Sequence, residues 1–560
     1  MEFDFLVIGG GTAGAVIASR LSENPSCRVL LIEAGDDTLP ESTPADIQDA
    51  FPTSALNPKY FWQGLTATAT DGAPPRSYPQ ARVMGGGSAI NGMLALRGAP
   101  SDYLRWTDVD PAAFSWEAVV PYFRKVENDL DLPGKDFPRG PHAISRIPKE
   151  RWPAFVRAME HAAARIGLPF VPDINETPVD GFFPMPLAVG AKARETSSGC
   201  YLSADVRKRR NLVILANAQA TKLGMNGGTV VGVDAIRAGA PIHLSARNVV
   251  LSSGGIYSPT ILLRSGIGPP DHLASLGIQV VIDRPGVGRN LQNHPYMFYA
   301  LTLPRAKRVA SNFRCFGVAG LRASSGAPGC PTGDLFAYAI GRVSGASFGP
   351  GFALMASALY APNSRGFVRL KSIDPFESPE VNFRLMSDPS DPPRMLQTAR
   401  LTERILRDPD VAAQYQEAFI LPGKLAIGQF NRSGFAGKVL SFAAEAAFNS
   451  PSPIRRMLVG RAFGRVAPVV CASGGRETSD EEILSSICPM GHPVGTCKMG
   501  SKNDSMAVVD ESFRVHGTSN LFVVDASVMP VIPSANTNLP TLMLAELAAD
   551  RIRDRSLDRP

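Results

Sequence analysis

The stretch FDFLVIGGGTAG, from Phe3 to Gly14, decides the fold class of this chain. Phe3–Ile8 is a short apolar run typical of a buried strand, and the small residues after the glycines predict a helix. Between them, Gly9, Gly11 and Gly14 form the spacing G-x-G-x-x-G. The three glycines allow a tight turn, close approach of a ligand to the backbone, and contact between helix and strand. The pattern therefore predicts a helix N-terminus that binds the pyrophosphate of a dinucleotide.

An acidic residue after the second strand supports this interpretation. Cys27–Ile32 predicts a buried strand, and Glu33 follows it at the distance from Gly14, about 20 residues, where an acid binds the ribose in dinucleotide folds. An acid at this position disfavours NADP and fits NAD or the AMP half of FAD. The alternative is a glycine-rich turn with no ligand and Glu33 as a solvated strand end.

The composition of the 560 residues excludes several classes of protein. Hydrophobic residues make up 44% and charged residues 19%, which excludes a disordered or coiled-coil chain. The 57 basic and 51 acidic residues leave a net charge of +6, and the one dense basic run, residues 207–210, predicts a solvated helix end. We therefore expect no nucleic-acid partner. No apolar run approaches the 18 or so residues that span a bilayer, so we expect no membrane span.

The cysteines indicate a reducing environment. There are seven, an odd number, and no two have the spacing C-x-x-C. This pattern favours neither a zinc site nor a disulfide framework, so we expect no metal. No signal-like segment precedes the first strand. The sequence therefore predicts a cytoplasmic protein.

Two further glycine-rich segments extend the dinucleotide pattern. The first, residues 81–98, reads ARVMGGGSAINGMLALRG, and its successive glycines predict a backbone surface that a flat ring and phosphates can approach closely. The second, residues 254–269, reads GGIYSPTILLRSGIGP and follows a predicted strand at residues 248–252. From the residues alone, the first segment could instead be a helix-packing turn and the second could be merely structural.

These segments resemble the two signatures of the glucose–methanol–choline (GMC) oxidoreductases, FAD-dependent enzymes that act on alcohols. Three more stretches complete the resemblance: GVGRNLQNH at 286–294, GHPVGT at 491–496, and residues 525–541 with DAS at the start and NTNLPT at the end. It runs from residue 3 to about residue 553 and is weakest across 130–195 and 300–480. Within the family, stretches at 283–291, 321–326 and 534–543 resemble enzymes that act on furanic and aromatic alcohols.

The resemblance implies an α/β fold with two domains. Residues 1–150, 196–300 and 485–560 would form a discontinuous, Rossmann-like FAD-binding domain, with 151–195 as a connecting or lid region. Residues 301–484 would form an α+β substrate-binding domain on an antiparallel sheet. Residues 211–215 and 230–233 predict strands of one small sheet in the middle segment. Aromatic residues of the substrate domain could line an apolar entry or belong to the core: Phe313, Phe316, Phe336, Tyr338 and Phe352.

The resemblance also implies a set of cofactor-binding residues. Trp62 among them could equally be a core aromatic. Some relatives attach FAD covalently through a histidine just before the motif asparagine, where this chain has Ile90, so we expect non-covalent FAD. The set comprises Gly9, Gly11, Thr12, Ala13, Gly14, Glu33, Ala34, Trp62, Met84, Gly85, Ser88, Asn91, Gly92, Met93, Leu94, Ala220, Gly491, Asp525, Ala526, Asn538, Leu539 and Pro540.

One histidine is the candidate catalytic base. Removing a hydride from an alcohol carbon requires the hydroxyl proton to leave at nearly the same time, so a base of near-neutral pKa must lie within hydrogen-bond reach. Of seven histidines, His492 lies in a glycine-flanked loop and matches the catalytic histidine of the family. A packing role in a tight loop is the alternative. His294, by contrast, ends a turn-rich element and is expected to hold a loop in place.

The second active-site position of the family, which is His or Asn, is assigned to Asn538. An amide can donate a hydrogen bond to a developing alkoxide but cannot readily take a proton, so His492 would be the sole base and Asn538 would orient the substrate. An amphipathic helix is predicted to begin just after Asn538, with its positive end toward the flavin. The residue before the catalytic histidine is often aromatic in relatives, but here it is Gly491, which would leave space beside the flavin.

The resulting functional hypothesis is oxidation of a primary alcohol, aromatic or furanic, to the aldehyde, with a hydride passed to flavin N5 and oxygen reduced to hydrogen peroxide. The partners would be a small-molecule alcohol and oxygen or another electron acceptor. One alternative is a dehydrogenase that uses a quinone-type acceptor. The other is a lyase on the same scaffold, because hydroxynitrile lyases and photodecarboxylases also resemble this family.

Overall fold

The first layer of the fold is a five-stranded parallel sheet. The computed structural model describes residues 3–132, 139–191, 193–310, 313–344, 346, 348–421, 435–463, 470–471 and 476–557. The strand that precedes the glycine turn lies at the centre of this sheet, and its last four residues are buried. A parallel strand covered on both faces requires a continuous apolar run, as this one has. In spatial order the strands are Leu521–Val523, Ala246–Leu251, Phe3–Ile8, Val29–Ile32 and Leu212–Leu215.

Two helices from opposite ends of the chain pack together on this sheet. Thr12–Leu21 follows the glycine turn directly, and Asn538–Leu557 is the C-terminal helix. Arg20 donates to the carboxylate of Glu546 through Nε and Nη2 at 2.7–3.0 Å, and the Tyr201 hydroxyl donates to the same carboxylate at 2.9 Å. Since the Glu546 side chain is fully buried, these bonds join the middle of the last helix to the end of the helix Thr12–Leu21.

The second layer is an eight-stranded antiparallel sheet, which confirms the α/β fold with an added antiparallel unit. Helices Ala154–Arg165 and Asp391–Arg407 pack against it. Residues 151–195, expected to connect or cover the domains, thus contribute a helix and an edge strand to this layer. Seven strands follow the order Val470–Cys471, Glu417–Leu421, Pro295–Thr302, Phe352–Leu359, Leu335–Ile340, Gly317–Ala323 and Gly181–Pro184, and Cys488–Pro489 pairs with Pro295–Thr302.

A three-stranded antiparallel sheet, Ala218–Asn226, Thr229–Arg237 and Ala240–Leu244, adjoins the parallel sheet. The two strands predicted to share one small sheet belong to different ones. Leu212–Leu215 pairs in parallel with Val29–Ile32, whose free edge it covers as the last strand of the parallel sheet. Residues 230–233 lie in the three-stranded sheet.

Shorter elements connect these layers. None of the helices among the described residues is long and apolar enough to cross a membrane. Two-stranded pairs are Thr66–Ala67 with Arg76–Ser77, Glu127–Asp129 with His142–Ile144, Ile267–Gly268 with Ile282–Asp283, and Phe367–Arg369 with Glu380–Asn382. Helical elements are Pro40–Ser42, Ala45–Gln48, Thr53–Leu56, Pro58–Tyr60, Gly87–Ile90, Pro100–Leu104, Pro111–Phe114, Trp116–Val126, Lys149–Arg151, Ser197–Tyr201, Ala204–Arg207, Gly254–Arg264, Pro270–Ser275, Arg305–Lys307, Gly349–Gly351, Pro409–Ala412, Phe435–Asn449, Ser452–Phe463, Asp480–Ser485 and Ala526–Val528.

Candidate active site

The glycine turn has the geometry that its spacing predicts. Gly9 has a φ of +104°, in the region that favours glycine. A Cβ on Gly14 would lie 1.9 Å from the Gly9 carbonyl oxygen, and a Cβ on Gly86 would lie 2.7 Å from the Gly11 Cα. The glycine turn at residues 9–14 and the segment at residues 81–98 therefore contact each other through backbone atoms, with no side chain between them. Gly11 is the N-cap of the helix Thr12–Leu21 and has no side chain to cap it, so the turn presents helix N–H groups suited to phosphate.

Glu33 is buried beside this turn, with only 7% of its surface exposed. Its carboxylate accepts hydrogen bonds from the backbone N–H groups of Gly10 and Gly35, both at 2.8 Å. Burial raises the pKa of Glu33, against the lowering effect of these two hydrogen bonds. Each carboxylate oxygen has two lone pairs, so both can still accept a ribose hydroxyl. The position and buried charge fit the ribose-binding role predicted from the sequence.

One cavity of about 900 Å³ runs from the glycine turn to His492. Its size is at the upper end of the range for ligand sites. Seventeen predicted cofactor or catalytic residues line it: Gly9, Gly11, Thr12, Ala13, Glu33, Ala34, Trp62, Asn91, Gly92, Met93, Leu94, Ala220, Gly491, His492, Asp525, Ala526 and Asn538. The other six predicted residues, Gly14, Met84, Gly85, Ser88, Leu539 and Pro540, are not among the lining residues.

Two of the six residues that do not line the cavity, Ser88 and Met84, support the backbone around it. Ser88 is buried, donates from Oγ to the Gly85 carbonyl at 2.6 Å, and accepts from the Ser197 N–H at 2.8 Å. Met84 lies behind Gly10, where a Cβ would meet its sulfur at 2.3 Å. The Met84 contact fixes the segment at residues 81–98 against the glycine turn at residues 9–14, and the Ser88 hydrogen bonds hold that segment in shape. The predicted cofactor contacts, of these six residues and of the seventeen that line the cavity, remain predictions.

Asp525 joins the second glycine signature to the C-terminal part of the chain. Its Oδ2 accepts from the Ser258 hydroxyl at 2.6 Å and from the Gly254 N–H at 2.8 Å, and its Oδ1 caps the short helix Ala526–Val528 through the Ser527 N–H at 2.8 Å. Burial raises the pKa of Asp525, and these hydrogen bonds oppose the rise. The carboxylate thus joins two segments at the cavity, the start of the helix Gly254–Arg264 and the short helix Ala526–Val528.

Trp62 belongs to an aromatic cluster at the cavity wall. Its ring stacks on Tyr257 with centroids 4.1 Å apart, and the Arg82 guanidinium lies 5.1 Å from its centroid. Both Trp62 and Tyr257 line the cavity. Ile90 also lines it and has a hydrocarbon side chain that cannot attach a flavin.

His492 is held at the other end of the cavity by pairing between two distant segments. The residues before it form the strand Cys488–Pro489, which pairs antiparallel with Pro295 and Tyr296. On the other side of His492, Val494 bridges to Gln292. This register places His294 opposite His492, with their Nδ1 atoms 2.9 Å apart and their rings nearly perpendicular.

Asn536, rather than Asn538, is the asparagine beside the histidine. Asn536 Nδ2 lies 3.3 Å from His492 Nε2, and Asn536 Oδ1 accepts from the Tyr360 hydroxyl at 3.2 Å. Asn538 instead accepts a hydrogen bond from the Thr12 hydroxyl at 2.8 Å through its Oδ1. Asn538 lines the same cavity as the first residue of the C-terminal helix, and its predicted substrate-orienting role stays a prediction.

The far end of the cavity is apolar. Phe316 and Tyr338, two of the five aromatics considered for an entry, line the cavity, whereas Phe313, Phe336 and Phe352 are buried and are not among the lining residues. A Cβ added to Gly491 would meet no atom within 4 Å, so open space adjoins the candidate base. The wall in this region includes Phe51, Phe298, Phe316, Tyr338, Leu354 and Met490.

A dinucleotide turn and a hydrogen-bonded histidine in one cavity are typical of a cofactor-dependent enzyme. The comparisons with known proteins give the family. Residues 3–296 and 362–545 match the two GMC oxidoreductase domain families, and the chain belongs to this family. It is therefore an FAD-dependent oxidoreductase that acts on alcohols. The close approach of the glycine segments and the buried Glu33 fit FAD.

Relatives share nearly the full length of the chain. It is 36% identical to 5-(hydroxymethyl)furfural oxidase from Methylovorus sp. (strain MP688), over 98% of both chains. It is 32% identical to oxygen-dependent choline dehydrogenase from Staphylococcus xylosus, over 99% of this chain and 95% of that one. Among solved structures, pyridoxine 4-oxidase from Mesorbium loti is 25% identical with a TM-score of 0.79, over 99% of both chains.

Proposed function

We propose that this chain oxidises neutral primary alcohols, furanic or aromatic, to aldehydes and passes the electrons to oxygen. The observation that carries the proposal is His492 beside Asn536 in an apolar end of the cofactor cavity. The full-length identity to a 5-(hydroxymethyl)furfural oxidase supports the furanic substrate class.

The chain's own residues supply the proton chemistry. FAD, when bound, supplies the acceptor for the hydride that leaves the alcohol carbon. His492 Nε2 takes the hydroxyl proton, so that the O–H bond breaks as the new N–H bond forms. The Asn536 amide donates to the oxygen as negative charge develops on it, and the aromatic wall excludes water. Gly9, Gly11 and Glu33 would hold the cofactor at the other end.

Charge at the site favours a neutral alcohol over choline. Among the described residues that line the cavity, the only acidic ones are Glu33 and Asp525, and both are bonded to backbone N–H groups near glycine turns. A quaternary ammonium bound beside His492 would have no carboxylate among these residues, other than the two already bonded at the glycine turns, to balance its charge. We therefore expect little reduction of the flavin by choline.

A panel of alcohols tests the function. We expect 5-(hydroxymethyl)furfural and benzyl alcohol to bleach the visible absorption of the bound flavin under anaerobic conditions, and choline to leave it nearly unchanged. In air, we expect one hydrogen peroxide per alcohol oxidised. Absence of peroxide together with reduction of an artificial dye would replace the oxidase by a dehydrogenase. No bleaching by any alcohol would favour a lyase.

Replacing each of the two asparagines by alanine separates their roles. We expect Asn536→Ala to slow anaerobic flavin reduction by about 10–100-fold, because one hydrogen bond to developing charge is lost, while FAD stays bound. We expect Asn538→Ala to weaken FAD binding through the lost Thr12 contact and to leave the reduction rate of FAD-loaded enzyme close to wild type. Stopped-flow reduction and FAD titration measure the two effects. The reverse pattern would restore Asn538 as the substrate-orienting residue.

A further inference from the structure

His294 lies in a closed, fully buried environment behind the candidate base. Its side chain is inaccessible to solvent and stacks on Tyr360 with centroids 4.4 Å apart and planes at 16°. Tyr360 in turn stacks on Phe336 at 4.1 Å. The sequence suggested only that His294 holds a loop. Its ring is packed so tightly that the direction of each nitrogen is fixed.

The protons on His294 follow from its partners. Its Nε2 lies 3.1 Å from the Pro533 carbonyl oxygen, which can only accept, so Nε2 carries the hydrogen. Burial lowers the pKa of His294 to about 3, against the raising effect of the carbonyls of Pro533 and Tyr360. The ring therefore stays neutral and has a single N–H, already used. Its Nδ1 is left as an acceptor, 2.9 Å from Nδ1 of His492.

We propose that His294 is a positioning residue that selects the Nδ1–H tautomer of His492 and so makes Nε2 its basic nitrogen. This rests on the proposed function of His492 as the base. A hydrogen bond at one ring nitrogen decides which nitrogen carries the proton. Since His294 Nδ1 can only accept, His492 Nδ1 must donate, and its lone pair lies on Nε2.

The partner on the opposite side of His492 fits the same tautomer. The Tyr360 hydroxyl donates to Asn536 Oδ1 at 3.2 Å, and the Nδ2 atom of the same amide faces His492. That Nδ2–H group, 3.3 Å from His492 Nε2, can donate only if Nε2 bears no hydrogen. Tyr360 thus stacks on one partner of His492 and orients the other.

The arrangement also determines where the substrate proton goes. When the alcohol O–H bond breaks and Nε2–H forms, the Nδ1–H bond to His294 persists, now as a bond from a charged donor. The Asn536 amide can no longer donate to Nε2 and becomes available to the alkoxide oxygen. Proton uptake by His492 Nε2 thus releases the Asn536 amide to stabilise the alkoxide, so both events depend on this nitrogen.

Two substitutions of opposite design test the role. His294→Phe keeps an aromatic ring on Tyr360 but has no acceptor, whereas His294→Asn loses the ring but places an amide oxygen near the former Nδ1. We expect His294→Phe to slow anaerobic flavin reduction by roughly 10–10³-fold, the range of acid–base contributions, and His294→Asn to stay within about 10-fold of wild type. A packing role predicts the reverse order.

The tautomer itself is measured by ¹⁵N NMR of FAD-loaded protein with labelled histidines and no alcohol. Seven histidines are present, and His492→Gln assigns the signals. We expect Nδ1–H on His492 and Nε2–H on His294 in wild type, Nδ1–H on His492 in His294→Asn, and Nε2–H on His492 in His294→Phe. If a variant does not fold, Nε2–H on His492 in wild type still overturns the proposal.

The outcomes separate the two proposals. Nε2–H on His492 in wild type, or an unchanged tautomer and rate in His294→Phe, would overturn the role of His294. A wild-type rate in an enzyme that lacks the His492 imidazole would overturn the base assignment, while the NMR result would still report the tautomer.

Discussion

Alanine at position 492 is expected to slow anaerobic reduction of bound FAD by about 10²–10⁴-fold, because the alcohol then loses the base proposed to take its proton. FAD should remain bound, since the glycine turn and Glu33 lie at the other end of the cavity. Stopped-flow reduction by a saturating primary alcohol measures the rate, and visible absorption measures the FAD content.

His161→Ala is the matched control for this substitution. His161 is exposed on the helix Ala154–Arg165, away from the cavity lining, so the variant should reduce FAD at the wild-type rate. Reduction near the wild-type rate in His492→Ala, with FAD bound, would show that another group takes the proton.

The second large effect is expected for Gly86→Ala, which should weaken FAD binding by at least about 100-fold. Gly86 has φ 53° and ψ −134°, a conformation that costs other residues about 1–3 kcal/mol. The added Cβ would also lie 2.7 Å from the Gly11 Cα and force the two glycine segments apart. A 100-fold loss corresponds to about 2.7 kcal/mol. Fluorescence titration of FAD into apo-protein measures the affinity.

Gly239→Ala separates this effect from backbone strain alone. Gly239 has a φ of +79° in the hairpin between Thr229–Arg237 and Ala240–Leu244, and a Cβ there would meet no atom within 4 Å. This variant should lose some stability and keep wild-type FAD affinity. If Gly86→Ala protein purifies with full FAD content, FAD binding does not depend on the close contact between Gly86 and Gly11.

The nucleotide half of the fold was predictable because its requirements are local. A turn that only glycine can adopt, a fully buried parallel strand and an acid at its end all leave a direct trace in the residues. The prediction places Leu212–Leu215 in the wrong sheet, because its apolar run indicates a strand but does not indicate that the strand pairs with Val29–Ile32.

The proton-transfer end was less predictable because its partners are distant in the chain. Asn536 and Asn538 are the same residue type two positions apart, and only the start of the last helix at Asn538 decides which one contacts Thr12 and which one contacts His492. The role proposed for His294 depends on a contact across 198 positions, and no local pattern in the sequence reports it.

The pairing of the first and last helices also bears on how the enzyme matures. Strand Leu521–Val523 completes the parallel sheet beside Ala246–Leu251, and Glu546 anchors Arg20. A chain still being translated therefore lacks one wall of the flavin cradle until its final helix has left the ribosome. We expect FAD to bind only after the helix Asn538–Leu557 has been translated.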